Sequence, residues 1–369
     1  MNIAQANFHL LWGGQAEVAL ALSRELAQRG HRLFVLAPPG SELAMRAKDA
    51  GLNVFTGCRF RKGFRPLSFF RDVARLRAFL RENDIQIYHC HGSQDHWTGA
   101  VAATSRTKIV RTRHNIYPIK NHLFNRWLFR GKTAQVITIF KEQERYFTAD
   151  RLLKPEQLVT LHSPLPREFV EAQNVCRIAR QELQIEATTP LVGFVANFHP
   201  DKAPLDFIAA AEKIAAILPT ARFCMAGHGP LEKAMREAIK KAGLDERLHL
   251  LGFRKDILEV IASFDLLLLT SVAREASSTV IKQAAALNVP VIATDVGGTR
   301  EIIEDGRTGI LVKAGDIEAL AAAAQALLTD RPRAATMSRL GKEKVLREFT
   351  ARTIAARTEE LYLRLLNKV

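Results

Sequence analysis

The stretch REASSTVIKQAAALNVPVIATDVGGTREII, residues 274–303, contains a predicted helix, a predicted buried strand and a pair of glycines. Three residues of types that favour helix N termini lie at the start of the helix, which is predicted over about residues 279–287: Ser277, Ser278 and Thr279. The apolar run PVIATD, residues 290–295, has the length and composition of a buried strand. Helices that alternate with buried strands are typical of a parallel sheet covered on both faces.

The same alternation continues along most of the chain. Apolar runs predict further strands at residues 2–7, 32–38, 85–92, 107–115, 134–140, 191–198, 221–227, 248–253 and 265–271. A proline-bearing stretch, residues 162–169, separates two such series and is interpreted as an interdomain connection. We therefore expect two Rossmann-like, doubly wound parallel-sheet domains facing a central cleft, with ligands at the carboxyl ends of the strands. The expected bounds of these two domains are 1–165 and 170–347.

Composition narrows the class of protein. The chain has 369 residues, of which 47% are hydrophobic and 25% are charged, as in globular proteins. Its apolar runs fall short of the roughly 20 residues that a membrane span needs. The first residues carry no basic segment or cleavage site, so a signal peptide is not expected. Four scattered cysteines indicate thiols in a reducing cytosol, which predicts a cytoplasmic protein.

Positive charge is concentrated in the first half of the sequence. Residues 1–165 contain 25 Lys and Arg against 12 Asp and Glu, a net charge of +13 of the total +15. Such a surplus indicates an anionic partner: acidic lipid headgroups, a phosphorylated acceptor or nucleic acid. The surplus is interleaved with aromatic residues in two segments, 58–83 and 117–132, a pattern that suits the surface of an anionic membrane. A solvated helix face explains it equally well, whereas no nucleic-acid-binding signature accompanies the charge.

The opening stretch also predicts a binding site. Backbone N–H groups at the start of a helix attract anions, and Glu275 lies just before that start. Gln283 follows eight residues later, roughly 12 Å away along an ideal helix. A carboxylate and an amide at this separation could flank a long ligand whose pyrophosphate lies at the helix start. The alternative is an ordinary capped helix with a solvated Glu275.

The segment PVIATDVGGTREII, residues 290–303, resembles the nucleotide-sugar signature of the family-4 retaining glycosyltransferases, which have the GT-B fold. This fold implies that a final helix, residues 348–369, crosses back to the first domain. That family carries two glutamates eight positions apart before this strand. Glu275 occupies the first position, Gln283 replaces the second, and Ala276 replaces the glycine that usually follows the first. The amide of Gln283 can still bond a diol, though less strongly than a carboxylate.

The resemblance implies a set of donor contacts. Glu275 would bond the hydroxyls of the donor sugar, Gln283 the ribose, and Lys202 the diphosphate, with Asn197 at the position where the family has arginine. The catalytic residues implied are His114, Glu275 and Lys202, and His114 would face the reacting sugar through its side chain and its backbone carbonyl. The complete implied donor set is Gly13, Gly14, Asn197, Lys202, Gly227, Phe253, Arg254, Glu275, Ser277, Ser278, Thr279 and Gln283.

The family also implies an acceptor side near YHCHGSQDHW and VRTRHN, with these candidates: His91, Asp95, Arg111, Arg113 and Asn115. The first segment alone would permit a metal site, because His89 and His91 lie on one face of a strand. Cys90 points to the opposite face and no carboxylate completes the set, so we expect no metal and no cofactor.

Taken together, the sequence predicts transfer of a sugar from a nucleotide-diphosphate sugar to a hydroxyl of a cell-envelope glycan or glycolipid, for which a lipopolysaccharide core is one option. Two alternatives stay open. A nucleotide-sugar 2-epimerase shares the fold, and a degenerate, non-catalytic binding protein would explain Asn197 and Gln283.

Overall fold

A computed structural model of the chain describes residues 1–63, 65–148 and 152–367. The chain divides into two compact units. The first unit contains residues 1–164 together with the segment that begins at Ala351, and the second unit is Leu165–Thr350. The junction after Pro164 lies inside the proline-bearing stretch of residues 162–169.

The first unit is built on a sheet of seven parallel strands. They are β1 (Asn2–Ala6), β2 (Arg32–Leu36), β3 (Asn53–Phe55), β4 (Ile87–Cys90), β5 (Lys108–Arg113), β6 (Thr133–Thr138) and β7 (Leu158–Thr160). The helices between them are α1 (Gly14–Gln28), α2 (Glu42–Asp49), α3 (Pro66–Glu82), α4 (Ser93–Ala102), α5 (Leu123–Asn125) and α6 (Arg145–Thr148). A π-helical segment, Arg126–Lys132, follows α5.

The second unit contains a six-stranded parallel sheet. Its strands are β8 (Leu191–Val195), β9 (Arg222–Ala226), β10 (Leu248–Gly252), β11 (Leu266–Leu269), β12 (Val291–Thr294) and β13 (Ile310–Val312). Its helices are α7 (Arg167–Glu171), α8 (Ile178–Glu182), α9 (Pro204–Ile217), α10 (Glu232–Lys241), α11 (Ile257–Ala262), α12 (Thr279–Ala286), α13 (Thr299–Ile302), α14 (Ile317–Thr329) and α15 (Arg331–Glu348). The last helix, α16 (Ala351–Asn367), belongs to the first unit.

Strand order confirms the predicted doubly wound fold in both units. The orders are β3-β2-β1-β4-β5-β6-β7 and β10-β9-β8-β11-β12-β13, and every pairing within them is parallel. Each order reverses at one point, between β1 and β4 in the first sheet and between β8 and β11 in the second. Ligands of such sheets bind outside the carboxyl ends of the strands at the point of reversal.

Both faces of each sheet are buried, which explains the continuous apolar strands. In β8, Val192 and Phe194 enter the cluster on one face, and Leu191 enters the cluster on the other. Between them, Gly193 leaves room for Phe264, whose ring lies 2.0 Å from where a Cβ would stand. Alternation of side chains along a strand produces this division.

Helix α16 packs on the first sheet through Tyr362 and its apolar neighbours. The Tyr362 hydroxyl accepts a hydrogen bond from Gln5 Nε2 at 3.1 Å. Glu359 on the same helix pairs with Arg29 at 2.6 Å and with His31 at 2.7 Å. These contacts attach the end of the chain to strand β1 and helix α1.

Two further features of the fold concern the length of its apolar helices and the burial of its cysteine thiols. Within the described ranges, no helix combines the length and the apolar composition needed to cross a bilayer. Three cysteine thiols are buried, and burial raises the pKa of Cys58 to about 12.

Candidate functional site

In the second unit, the loops after β8 and β11 are tied together. Thr270, just beyond β11, donates its hydroxyl to the carbonyl oxygens of Lys202 and Ala203 at 3.0 and 2.9 Å. The backbone N–H of Val272 donates to the carbonyl of Asp201 at 2.9 Å. Because these strands flank the point where strand order reverses, both loops lie at the expected ligand edge.

An ion pair between a half-buried lysine and a buried glutamate forms where these loops meet. Glu275 is 6% exposed, and its Oε2 atom accepts from Lys202 Nζ at 2.5 Å and from Ser271 Oγ at 2.7 Å. The structure thus places two of the three predicted catalytic residues in direct contact. Removing either partner would leave the other charge poorly compensated in a desolvated place.

The paired glycines of the opening stretch hold the backbone of Glu275. Gly297 has φ +57°, and a Cβ at this position would lie 1.9 Å from the carbonyl oxygen of Glu275. That carbonyl accepts from the N–H of Gly298 at 3.0 Å. Only glycine permits both the left-handed conformation and the close approach. The glycine pair therefore positions the carboxylate that lies 22 residues earlier in the chain.

The start of α12 lies beside this ion pair in the chain. Ser277 and Ser278 are buried, Thr279 is exposed, and no side-chain hydrogen bond caps the helix within the described structure. The Ser277 hydroxyl accepts from Lys282 Nζ at 3.0 Å, and Lys282 is completely buried. Gln283 follows on α12 and is half-buried. Lys282 was not predicted as a site residue, because a lysine in a helix is usually at the surface.

Two glycines close the loop that carries Asn197. A Cβ on Gly227 would lie 1.9 Å from the carbonyl oxygen of Ala196, and one on Gly229 would lie 2.5 Å from that of Phe198. The N–H of Phe198 donates to the carbonyl of His228 at 2.9 Å. Asn197 is exposed between these contacts.

The predicted residues Phe253 and Arg254 differ in availability. Phe253 is 67% exposed and makes an edge contact with His228. Arg254 instead bonds Glu182 at 2.7 and 2.9 Å and Asp256 at 2.8 and 2.5 Å. These hydrogen bonds, above all the one to Asp256, raise the pKa of Arg254. Arg254 is therefore held by two carboxylates, and its predicted contact with the donor stays a prediction.

Another ion pair joins the same two loops and was not predicted. Arg274, in the left-handed region at φ +53°, pairs with Asp201. The hydrogen bond from Arg274 is the main cause that lowers the pKa of Asp201. Neither residue belongs to a motif, so only the folded loops reveal the pair.

In the first unit, the predicted glycine loop opens helix α1. Gly13 is the N-cap residue in an extended conformation, and it and Gly14 are exposed. A Cβ on either glycine would meet no atom within 4 Å. The backbone at this helix start is therefore accessible.

His114, the first residue after β5, ends a chain of five buried or half-buried hydrogen bonds. His114 Nε2 bonds His91 Nδ1 at 2.9 Å, and His91 Nε2 bonds Gln5 Oε1 at 2.8 Å. Gln5 Nε2 bonds the Tyr362 hydroxyl, which bonds His89 Nδ1 at 2.6 Å. His89 Nε2 bonds the Thr112 hydroxyl at 2.6 Å.

This chain fixes the tautomer of each neutral ring. Gln5 Oε1 can only accept, so His91 carries its proton on Nε2 and accepts at Nδ1 from His114 Nε2–H. Tyr362 accepts from Gln5 and donates to His89 Nδ1. His114 Nδ1 is consequently an acceptor, and it bonds no group in the described part of the chain.

Burial keeps these imidazoles neutral. Desolvation is the largest cause that lowers the pKa of His89 to about 3 and lowers the pKa values of His91 and His114 well below the ordinary 6.5. The nearby positive charge of Arg111 acts in the same direction.

The predicted acceptor residues are largely buried. Asp95 and His91 are 0% exposed, and Asp95 Oδ2 accepts from the N–H groups of His91 and Gly92 at 2.9 and 2.8 Å. Burial is the largest cause of the raised pKa of Asp95. Arg111 is 3% exposed. These three side chains are buried in this structure, and their contact with an acceptor stays a prediction.

The remaining two acceptor candidates are more accessible. Arg113 is half-buried, with Nη2 donating to the carbonyl of Tyr117 at 2.7 Å, and burial lowers its pKa. Asn115 is exposed, and its carbonyl accepts from Gln143 Nε2 at 2.7 Å. In the ranges that the structure describes, no group of three or more His, Cys, Asp or Glu side chains is placed to hold a metal ion.

Comparison with known proteins identifies the family. The family described as Glycosyltransferase Family 4 matches residues 12–169, and the one described as Glycosyl transferases group 1 matches residues 189–330. The chain belongs to the family-4 glycosyltransferases. The two matches together span about four fifths of the chain, in the order expected for its two units.

Individual relatives of this glycosyltransferase support the same assignment. N-acetyl-alpha-D-glucosaminyl L-malate synthase of Bacillus anthracis is 25% identical over 95% of this chain and 93% of its own. The lipopolysaccharide core biosynthesis mannosyltransferase LpsB of Rhizobium meliloti is 34% identical over 36% of this chain and 40% of its own. HepE of Anabaena, solved in complex with UDP, has a TM-score of 0.83 at 21% identity and covers 99% and 100% of the two chains. The predicted GT-B fold is thereby confirmed.

Proposed function

We propose that this glycosyltransferase moves a sugar from a nucleotide-diphosphate sugar to a hydroxyl of a cell-envelope glycan or glycolipid, with retained anomeric configuration and without a metal ion. The ion pair between Lys202 and Glu275 carries the proposal, because it gathers a cation and a carboxylate at the ligand edge of the second sheet. A relative of the same fold was solved with bound UDP, which supports a nucleotide donor.

Donor binding would exchange the partners of this ion pair. The diphosphate replaces Glu275 beside Lys202 Nζ, and the N–H groups at the start of α12 share its charge. Glu275, still held by Ser271 and by the Gly297 turn, then accepts hydrogen bonds from sugar hydroxyls. Stabilising the leaving diphosphate in this way is the main electrostatic contribution that the site supplies.

Two further groups of the second unit belong to the proposed donor site. Gln283 bonds the ribose, and Phe253 offers an exposed ring to the base. As the family resemblance implies, the bare backbone of Gly13 and Gly14 in the first unit would also contact the donor. His114 faces the reacting sugar through its carbonyl, as the family resemblance implies. The neutral ring of His114 presents Nδ1 as an acceptor for a sugar hydroxyl.

The acceptor and the location are inferred from the first unit. Its surplus of positive charge favours an anionic, lipid-anchored acceptor and peripheral contact with the cytoplasmic face of a membrane. The likeness to a lipopolysaccharide core mannosyltransferase supports an envelope glycan.

Replacing Glu275 with alanine tests the proposal. Hydrolysis of a panel of nucleotide sugars, measured in wild type, Glu275→Ala and the exposed control Glu237→Ala, is expected to fall at least a hundredfold in Glu275→Ala alone. Equal turnover in Glu275→Ala and wild type would contradict it. Isomerisation of the donor without acceptor would indicate the epimerase, and no nucleotide binding would indicate the non-catalytic protein.

A further inference from the structure

The first unit contains an apolar cavity that the proposed donor chemistry does not use. Its volume is about 650 Å³, and it lies between helices α3, α4 and α5 and the loop before α3. Aromatic rings form much of its wall, from Phe60, Phe69, Phe70, Trp97 and Phe124. Arg61 and Arg65 stand at the same cavity. An apolar space with a few charged groups at one side is typical of a ligand pocket.

A second cavity of about 570 Å³ adjoins the first and shares Phe60, Arg61 and Arg65 with it. Arg59 and Lys62 add two more positive charges to its wall. Within the described chain, none of these four basic side chains makes an ion pair or a hydrogen bond, and all four are exposed. Their charge is therefore available to an anion.

The segment that begins at Arg59, between the two cavities, is bound by a buried carboxylate of helix α3. Asp72, a buried residue of α3, accepts from the N–H groups of Arg59 and Phe60 at 3.1 and 2.9 Å. Asp72 also lines the apolar cavity, where its carboxylate is bound to these two N–H groups. These two hydrogen bonds hold the backbone at Arg59 and Phe60, at the start of the basic segment.

The basic cavity also reaches the predicted acceptor side. Phe8 lines it, and the Phe8 ring lies 2.0 Å from where a Cβ of Gly92 would stand. Gly92 follows His91 and begins α4, the helix that carries Trp97 of the apolar cavity. The end of β4, the basic cavity and the apolar cavity therefore lie next to one another within the first unit.

We propose that these two cavities bind the lipid part of the acceptor, an anionic amphiphile with its phosphate in the basic cavity and its hydrocarbon chain in the apolar one. The proposal rests on the proposed function in treating the occupant as the acceptor. Two rings at the apolar cavity, Phe70 and Phe124, are 61% and 73% exposed. Uncompensated cations beside exposed apolar surface match the two ends of such a molecule.

Calorimetric titration of the full chain with dodecyl phosphate, below its micelle concentration, tests this. We expect one saturable site. Ser68→Trp, which fills the apolar cavity from its wall, should weaken binding at least tenfold. The matched variant Leu67→Trp adds the same ring at an 87% exposed neighbouring position and should bind like wild type.

The headgroup is tested with charge variants and alternative probes. Arg61→Gln with Arg65→Gln should weaken binding about tenfold, whereas Arg71→Gln with Arg81→Gln removes the same charge from α3 and should not. Equal binding of inorganic phosphate, of the neutral dodecyl maltoside or of a single-stranded oligonucleotide would overturn the proposal. Wild-type affinity in Ser68→Trp would overturn it too.

A UDP titration of the same protein separates this proposal from the proposed function. UDP binding without dodecyl phosphate binding overturns the lipid site alone. Dodecyl phosphate binding without UDP binding overturns the donor assignment, and the cavities then bind an amphiphile in some other role.

Discussion

Single residues explain why the motif of residues 290–303 needs its glycines. Gly297 combines φ +57° with a backbone contact that a Cβ would occupy at 1.9 Å, whereas Gly306 has φ +72° and open space. Gly306→Ala is expected to cost about 1–2 kcal/mol for the left-handed conformation alone. Gly297→Ala should cost more and also weaken nucleotide binding, because it displaces Glu275. Urea unfolding and UDP titration of both variants check this, and equal losses would contradict it.

The tautomer of His114 is a second prediction for a single residue. The hydrogen-bond chain requires a proton on Nε2 and a free acceptor at Nδ1. Nitrogen-15 NMR of labelled protein at neutral pH should report this tautomer, and Tyr362→Phe should make it a mixture. A proton on Nδ1 of His114 in the wild type would contradict this, because every hydrogen bond of the series would then have its donor and acceptor exchanged.

Buried histidines also make stability depend on pH. Burial lowers the pKa of His89 to about 3 and those of His91, His96 and His114 well below 6.5. The unfolded chain therefore binds protons below about pH 6.5 that the folded chain does not, so stability falls on acidification. Each such residue contributes up to about 1.4 kcal/mol per pH unit. Urea unfolding between pH 7.5 and 5 measures this, and a flat profile would contradict it.

Among the elements, helix α16 has the most testable role. Tyr362 bonds both Gln5 and His89 in the buried chain. Tyr362→Phe removes the partner of Gln5 Nε2 and of His89 Nδ1 and is expected to cost about 1–3 kcal/mol. Leu363→Ala, at a 44% exposed position on the same helix, should change stability by less than about 0.5 kcal/mol. Similar unfolding midpoints for the two variants would show that α16 does not stabilise the first sheet through Tyr362.

Some strands and site contacts could be predicted from the sequence and others could not. Central strands such as β8 and β11 were predicted, because burial on both faces gives long apolar runs. The edge strands β3, β7 and β13 are three residues each, too short for any pattern, and were missed. At the site, the family resemblance located Lys202 and Glu275, but their contact depends on loops far apart in sequence. The burial of Asp95, His91 and Arg111 likewise could not be predicted from the sequence, because it depends on neighbouring strands.

At the scale of the whole molecule, the unequal distribution of charge predicts membrane behaviour. Because residues 1–165 carry +13 of the net +15, the full chain should sediment with vesicles that contain an anionic phospholipid and not with purely zwitterionic ones. High salt should release it, since exposed charges are screened within about a Debye length. Equal binding to both kinds of vesicle would contradict an electrostatic contact.

The most direct test of the account is an experimental structure with a nucleotide-diphosphate sugar bound. In that structure, Lys202 Nζ is expected to leave Glu275 and to lie within about 3 Å of a diphosphate oxygen. Glu275 should then accept from sugar hydroxyls while keeping its bond to Ser271. Phosphates bound elsewhere, with the 2.5 Å contact between Lys202 and Glu275 intact, would contradict it.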